Sequence, residues 1–445
     1  MTGCKAGNCV LLFIVTGSLL TSVWCQKMSS FEQQNDQAML QQIASDVKKH
    51  YYDPNFRGLD WDSKVRETKQ KIEHADTPGR ALSEIAALLD SLNDSHTFFL
   101  PPQPNTYHLD YGWKAQIIGD TCYVTHVRPG SDAEKKGIKP GDELMGVNGY
   151  ATTKKNFLKV EYFFNLLRPQ PSLRLVLRDG PSQERERTID VATKLSTLDD
   201  LVKDRAHSLG GRDAFRLARS QDAVVLITHP KMVELGDELM ILQLRAFILS
   251  DREIDSIIGK ARKHKALIVD LRGSGGGNAA VFSQLLGRMF PKTVKIGELV
   301  RRDGRSSLEA KGYGDRFDGK IIVLIDSASA SGAELFARAI QIEKRGVVIG
   351  DVSSGRVKES VFYPFLPHPG VISSQGAYIS TADIVMTDGA SLEGAGVKPD
   401  EVVLPTAVDL AEGRDPAMSH AAETVGVKLS PEDAGKMFPY EWPPL

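Results

Sequence analysis

Two short runs in this chain combine small residues with groups able to do covalent chemistry. The first is Asp326-Ser327-Ala328-Ser329-Ala330-Ser331-Gly332-Ala333-Glu334, between an apolar run and a helical pattern. A serine at such a corner lies at a helix N-terminus, where unpaired N–H groups and the positive end of the helix dipole favour a developing negative oxygen. Capping of the helix by one of the three serines accounts for the same residues. The second run is Asp270-Leu271-Arg272-Gly273-Ser274-Gly275-Gly276-Gly277-Asn278, again directly after an apolar stretch. Consecutive glycines let the backbone aim several N–H groups at one point, which suits an oxyanion or a phosphate. The run has neither the Gly-Lys-Ser/Thr ending of a phosphate loop nor the G-x-G-x-x-G spacing of dinucleotide folds.

The elements that must position these runs are legible as periodicities. Ala266-Leu267-Ile268-Val269, Ile321-Ile322-Val323-Leu324-Ile325 and Val347-Val348-Ile349 read as buried strands. The first leads through the glycine turn into a helix with Val281, Leu285 and Met289 on one face, and the second leads into another helix. The reading is a layered α/β domain with its chemistry at the strand ends. Near the N-terminus, Met39, Ile43, Val47 and Tyr51 make one helical stripe. Leu82, Ile85, Leu88, Leu89 and Leu92 make another behind Thr77-Pro78, and Pro101-Pro102 stops the pattern. Between the two regions, from about 108 to 182, the texture is short strands and glycine turns.

Bulk properties limit the function classes. The chain has 445 residues, 41% of them hydrophobic and 25% charged, with a formal net charge of −2. That is globular, long enough for two to four domains, and electrostatically unsuited to nucleic acid. Lys5 and the apolar run Val10 to Trp24, with Val23 and Cys25 at the −3 and −1 positions before Gln26, predict an export signal. Cleavage, a lipid on Cys25 or an uncleaved anchor would each use the same residues. Cys4, Cys9 and Cys25 fall in this leader, leaving Cys122 as the only other cysteine and a candidate buried hydrophobe. No Cys/His spacing suggests a metal site, and no cofactor is called for.

The runs together carry a specific resemblance. Asp-Leu-Arg-Gly-x-Gly-Gly-Gly, then Ser-Ala-Ser-x-x-Glu after the next apolar strand, is similar to the tricorn and C-terminal-processing serine peptidases. The strand-and-turn region upstream resembles a PDZ domain, with Tyr111-Gly112-Trp113 like its carboxylate-binding loop. The resemblance implies Ser331 as nucleophile, Gly275 and Gly332 as the oxyanion hole, and polypeptide substrates, approached through their C-termini. The superfamily's branches differ in the base. Aligning Ser353-Ser354-Gly355-Arg356-Val357 with the lysine-type run puts Arg356, which stays protonated, where a lysine belongs. Lys358 is the substitute, provided that burial strips its proton. The tricorn-like branch uses a serine–histidine pair and a late glutamate, matched here by Ser95, His96 and Glu393. Histidine needs no unusual pKa for this task, so the tricorn-like reading is preferred. The remaining histidines, such as His108, His126, His229 and His368, have no companion motif.

The expected organisation is α/β (α+β multidomain): a signal at 1–25, an N-terminal helical region at 26–105, a PDZ-like β-rich domain at 106–185, a layered α/β catalytic domain at 186–425 and a tail at 426–445. The expected activity is that of an exported serine endopeptidase. A Ser331–Lys358 C-terminal-processing peptidase and an inactive PDZ-containing peptide-binding scaffold are the alternatives.

Overall fold

The computed structural model describes residues 28–102, 107–180, 185–197, 229–366 and 375–442. The leader, Cys25 and His368 therefore lie outside the described residues. Three helices come first, α1 (Ser30–His50), α2 (Trp61–Glu73) and α3 (Pro78–Asp90). Ser29, Asp60 and Thr77 cap them, each side-chain oxygen accepting the N–H three residues on. Both apolar stripes are buried in one cluster, closed from outside by Phe99 and Ile379.

Strands β3 (Trp113–Ile118), β4 (Thr121–Val127), β5 (Glu143–Val147), β7 (Ser172–Arg178) and β8 (Glu186–Ala192) form an antiparallel sheet in that order, with β6 (Tyr150–Ala151) paired to β5. The sheet continues to Ala192, past the limit expected at 185. Helix α4 (Asp132–Lys135) precedes β5, and α5 (Phe157–Tyr162) packs on the sheet. Among the described residues strand β3 is an edge, its outer hydrogen-bonding side paired with no other strand. Cys122 is buried in this core, and burial pushes its thiol well above the usual range. Strands β2 (Tyr107–Asp110) and β9 (Lys194–Thr197) pair beside it.

The third region has two sheets. In the larger, β10 (Lys231–Leu235), β11 (Leu239–Gln243), β12 (Ala266–Asp270), β15 (Lys320–Ile325), β16 (Val347–Gly350) and β19 (Glu401–Val402) lie side by side, all parallel except β10. Its central strands β11, β12, β15 and β16 are largely apolar because both faces are covered. Helices α6 (Asp251–Ala261), α7 (Ala279–Gly287) and α8 (Gly332–Ile342) bury Ile254, Leu285 and Phe336 on one face. After α9 (Ala407–Glu412), α10 (Pro416–Thr424) and α11 (Pro431–Met437) bury Met418 and Ala434 on the other. The smaller sheet joins β13 (Val294–Arg301), β14 (Gly304–Ala310), β17 (Lys358–Pro364) and β18 (Gly376–Met386).

Two connections were not expected. Strand β1 (Phe98–Leu100), just after His96, pairs with β18, which sews the N-terminal helices to the smaller sheet. The residues expected as a tail fold back as well: Val427, Leu429 and Phe438 pack around α11, and Tyr440 stacks on His126 at 4.1 Å. Strands β12 and β15 are parallel neighbours, so the glycine turn and the serine corner leave adjacent strand ends on one rim of the sheet.

Candidate active site

Ser331 stands between β15 and α8 with φ 56° and ψ −119°, a conformation that residues with a Cβ rarely adopt. Its N–H is held by the Arg356 carbonyl at 2.8 Å and the Glu334 carboxylate at 3.0 Å. Glu334, in the first turn of α8, is fully buried and also accepts from the Ser353 hydroxyl at 2.5 Å and the amides of Gly355 and Arg356 at 2.8 and 2.9 Å. Burial raises its pKa, and the four donors oppose that shift. The other two serines of the run are structural: Ser327 donates to the Ile117 carbonyl and Ser329 to that of Leu271.

The glycine turn meets this corner one residue later than the resemblance implied. The Gly275 N–H donates to the Arg245 carbonyl at 3.2 Å and is engaged there. Gly276, at φ +87°, lies against Ser331: a Cβ on it would stand 2.6 Å from the Ser331 Cβ and 2.9 Å from the Gly332 nitrogen. Among the described residues, neither the Gly276 nor the Gly332 amide has an acceptor. Arg272 braces the start of the turn through Asp270 at 2.8 Å and Asp415 at 2.7 Å.

Ser95, His96 and Glu393 come together from opposite ends of the chain. The Ser95 hydroxyl is 2.8 Å from His96 Nδ1 and 2.9 Å from Glu393 Oε2, and its amide donates to Glu393 Oε1 at 2.9 Å. Asp94, assigned no role from sequence, accepts the amides of His96 and Thr97 at 2.9 and 3.1 Å and the hydroxyls of Tyr51 and Ser380. The sequence signal was an aspartate followed by Ser-His-Thr, a pattern for a side chain that closes a local turn. Burial, with the nearby Arg356 cation, lowers the His96 pKa to about 4, against a smaller opposing effect of Asp94.

The segment 353–357 joins the two halves. The Arg356 carbonyl holds the Ser331 amide, the Val357 amide donates to Glu393 Oε2 at 2.9 Å, and the Arg356 guanidinium donates to the Ser95 carbonyl at 3.2 Å. Lys358 points elsewhere. Its buried ammonium pairs with Asp383 at 3.0 Å, donates to Tyr52 at 3.1 Å and lies over the Tyr52 ring. Burial disfavours that charge, but Asp383 and Tyr52 outweigh it and leave the pKa above the ordinary lysine value. Such a lysine keeps its proton.

In the middle region, the Tyr111 hydroxyl donates to the Phe164 carbonyl at 2.8 Å, and Gly112 adopts φ +74°. The Gly112 amide donates to Asp110 Oδ1 at 2.8 Å, so it is already engaged by an internal carboxylate. Trp113 begins the edge strand. Among the described residues no group of histidine, cysteine or carboxylate side chains could hold a metal ion.

Comparison with known proteins identifies the domains. Residues 238–403 match the peptidase family S41 model, residues 110–169 the PDZ domain and residues 33–80 the tricorn protease C1 domain. The chain is 23% identical over 389 residues to the chloroplastic C-terminal processing peptidase of Tetradesmus obliquus, covering 81% of this chain and 76% of that one. It is 24% identical over 417 residues to a carboxyl-terminal-processing protease of Picosynechococcus, covering 90% and 89%. The solved structure of mature CPAF complexed with lactacystin shares the fold, with a TM-score of 0.59 at 15% identity, over 89% of this chain and 98% of that one. A PDZ domain ahead of such a peptidase domain defines a PDZ-containing serine peptidase. The chain carries peptidase family S41, PDZ and tricorn C1 domains, and the relatives it resembles are C-terminal-processing peptidases.

Proposed function

We propose that the chain is a serine endopeptidase in which Ser331 is the nucleophile and His96 the general base. The observation that carries this reading is the segment 355–357, three consecutive residues whose main chain binds the Ser331 amide, Glu334 and Glu393 at once. An ionised carboxylate can only accept hydrogen bonds, so the Ser95 hydroxyl gives its hydrogen to Glu393 and its lone pair takes Nδ1–H of His96. The Nε2 lone pair is then available for the Ser331 proton. Ser331 Oγ bonds to the peptide carbonyl carbon, and the oxyanion forms against the amides of Gly276 and Gly332, with Gly276 taking the place first given to Gly275. Return of the proton from Nε2 to the leaving amine breaks the C–N bond. Water then hydrolyses the Ser331 ester by the same route. Lys358, protonated and paired to Asp383, has no part in this proton transfer.

Polypeptides are the substrates, brought by the PDZ module through their C-terminal segments. Supporting this, the end of β3 abuts the loop ahead of the nucleophile, where Gln116 donates to Asp326 at 2.7 Å and Ser327 to the Ile117 carbonyl. The enzyme works after export, periplasmic or secreted, the leader being the feature that supports this. No helix among the described residues is long and apolar enough to cross a membrane. The test is labelling by a fluorophosphonate and peptide cleavage in wild type, Ser331→Ala, His96→Ala and Lys358→Ala. Labelling should vanish in Ser331→Ala, and cleavage should collapse in both Ser331→Ala and His96→Ala. Cleavage that survives loss of His96 but not of Lys358 would return the chemistry to a lysine dyad. No labelling of the wild type would support an inactive scaffold.

A further inference from the structure

The groove between β3 and α5 of the PDZ domain is walled by Val147, Phe157, Val160, Phe164 and Leu173, which suits an apolar peptide side chain. Among the described residues, two polar groups in it are without partners. Glu161 lies one helical turn after Phe157 on α5 and, among the described residues, makes no hydrogen bond or ion pair. The indole N–H of Trp113, on the opposite wall, is buried and has no acceptor. Lys114, next on β3, is exposed at the rim and forms no ion pair with Glu161. Burial lifts the Glu161 carboxyl to about 7, with Lys114 opposing the shift. An uncompensated carboxylate in an apolar groove is costly, and a ligand cation would remove that cost.

The loop at the head of the groove points the same way. The amide of Gly112 is taken by Asp110, whose carboxylate also pairs with Arg128 at 2.5 Å. A ligand's terminal carboxylate therefore meets one fewer free amide beside an ion pair of no net charge, so side-chain contacts must supply more of the selectivity.

We propose that this groove selects peptides carrying a lysine or arginine side chain beside Glu161, with Glu161 as the specificity-determining residue. The inference rests on the peptide-binding reading of the PDZ domain given above. The occupant is the extended C-terminal segment of a substrate chain: its backbone lies on the open edge of β3, an apolar side chain fills the pocket, and the cation sits at the Glu161 carboxylate.

The experiment uses the full chain as Ser331→Ala, to prevent turnover, and fluorescein-labelled decapeptides with an apolar C-terminal residue. Lysine, norleucine or glutamate is placed in turn at each of the five positions before it, and binding is read by fluorescence anisotropy. At one position the lysine peptide should bind at least tenfold tighter than the norleucine peptide, and the glutamate peptide weaker than both. Adding Glu161→Gln should reduce the lysine advantage to less than twofold and leave the norleucine peptide unchanged. If that variant melts below its parent, the salt dependence of binding in the parent decides instead, since only a charge pair loses its advantage as salt rises. Binding without charge preference, or a preference that survives Glu161→Gln, overturns the inference and leaves the peptide-binding reading intact. If no peptide binds at any position, both are overturned.

Discussion

Replacing Glu393 by glutamine tests the proton relay with the smallest change in shape. Glu393 accepts three hydrogen bonds, the Ser95 amide on Oε1 and the Ser95 hydroxyl and Val357 amide on Oε2, each at 2.9 Å. Glutamine has one oxygen and one NH2, so either orientation sets a donor against a donor. With its oxygen towards Ser95 N–H, the NH2 donates to the Ser95 hydroxyl and opposes the Val357 amide. The hydroxyl hydrogen then turns to His96 Nδ1, Nε2 carries the proton, and the imidazole cannot accept another from Ser331. With its oxygen towards Val357, the relay keeps its sense but the Ser95 amide loses its acceptor. Loss of an acceptor for buried donors costs about 1–3 kcal/mol of stability. Loss of general-base catalysis costs roughly 10²–10⁴ in rate, equivalent to about 3–5 kcal/mol in the barrier. The assay is kcat and KM for a fluorogenic peptide, with a urea melt to confirm folding. Where the glutamine oxygen faces the Ser95 amide, Glu393→Gln should lower kcat by at least a hundredfold with little change in KM. A folded variant whose His96 carries its proton on Nε2, read by nitrogen NMR, and whose kcat still lies within about threefold of wild type would refute the relay, because proton transfer would then be indifferent to the tautomer of His96.

Three further outcomes follow from the same geometry. Because the His96 pKa lies near 4, protonation of the base should cut kcat/KM only below about that pH, tenfold for each further unit, checked over the range in which circular dichroism shows a folded chain; an acid limb near 6.5 would mean that burial does not control this imidazole. Gly276→Ala adds a Cβ into contact with Ser331 at a left-handed φ, and should lower kcat by about 10²–10³ through loss of one oxyanion donor, as measured by steady-state kinetics with a melting curve as control. Lys358→Met leaves Asp383 facing a buried site without its cation, and should cost about 2–4 kcal/mol in urea unfolding while the folded fraction keeps its kcat; the Asp383 side chain is 22% exposed, which holds the loss below that of a fully buried pair.

The runs that carry chemistry were legible because each is a local requirement. A tight turn needs glycine, a helix start needs a small residue, and a strand covered on both faces needs an unbroken apolar run. Ala266–Val269 and Ile321–Ile325 met that last condition and became neighbouring parallel strands. Which of the Gly275 and Gly276 amides is left without an acceptor was not a local matter. It depends on which amide the Arg245 carbonyl captures, and Arg245 lies in a different segment. The PDZ loop behaved likewise, since Tyr111-Gly112-Trp113 does not reveal that Asp110 occupies the Gly112 amide.

From the linear chain alone came the α/β layers, the PDZ-like insert and the short set of residues able to move a proton or form an ester. Periodicity and residue type fix these, because backbone conformation and acid–base character belong to single residues and their near neighbours. What surrounds each candidate proton acceptor was decided by the tertiary structure. Strand β1 carries Ser95 and His96 to the smaller sheet, Glu393 returns from nearly 300 residues away, and Asp383 holds Lys358 in its charged form. Charge and hydrogen bonding at a buried site are set by whatever packs around it, and in this chain those neighbours are remote in sequence.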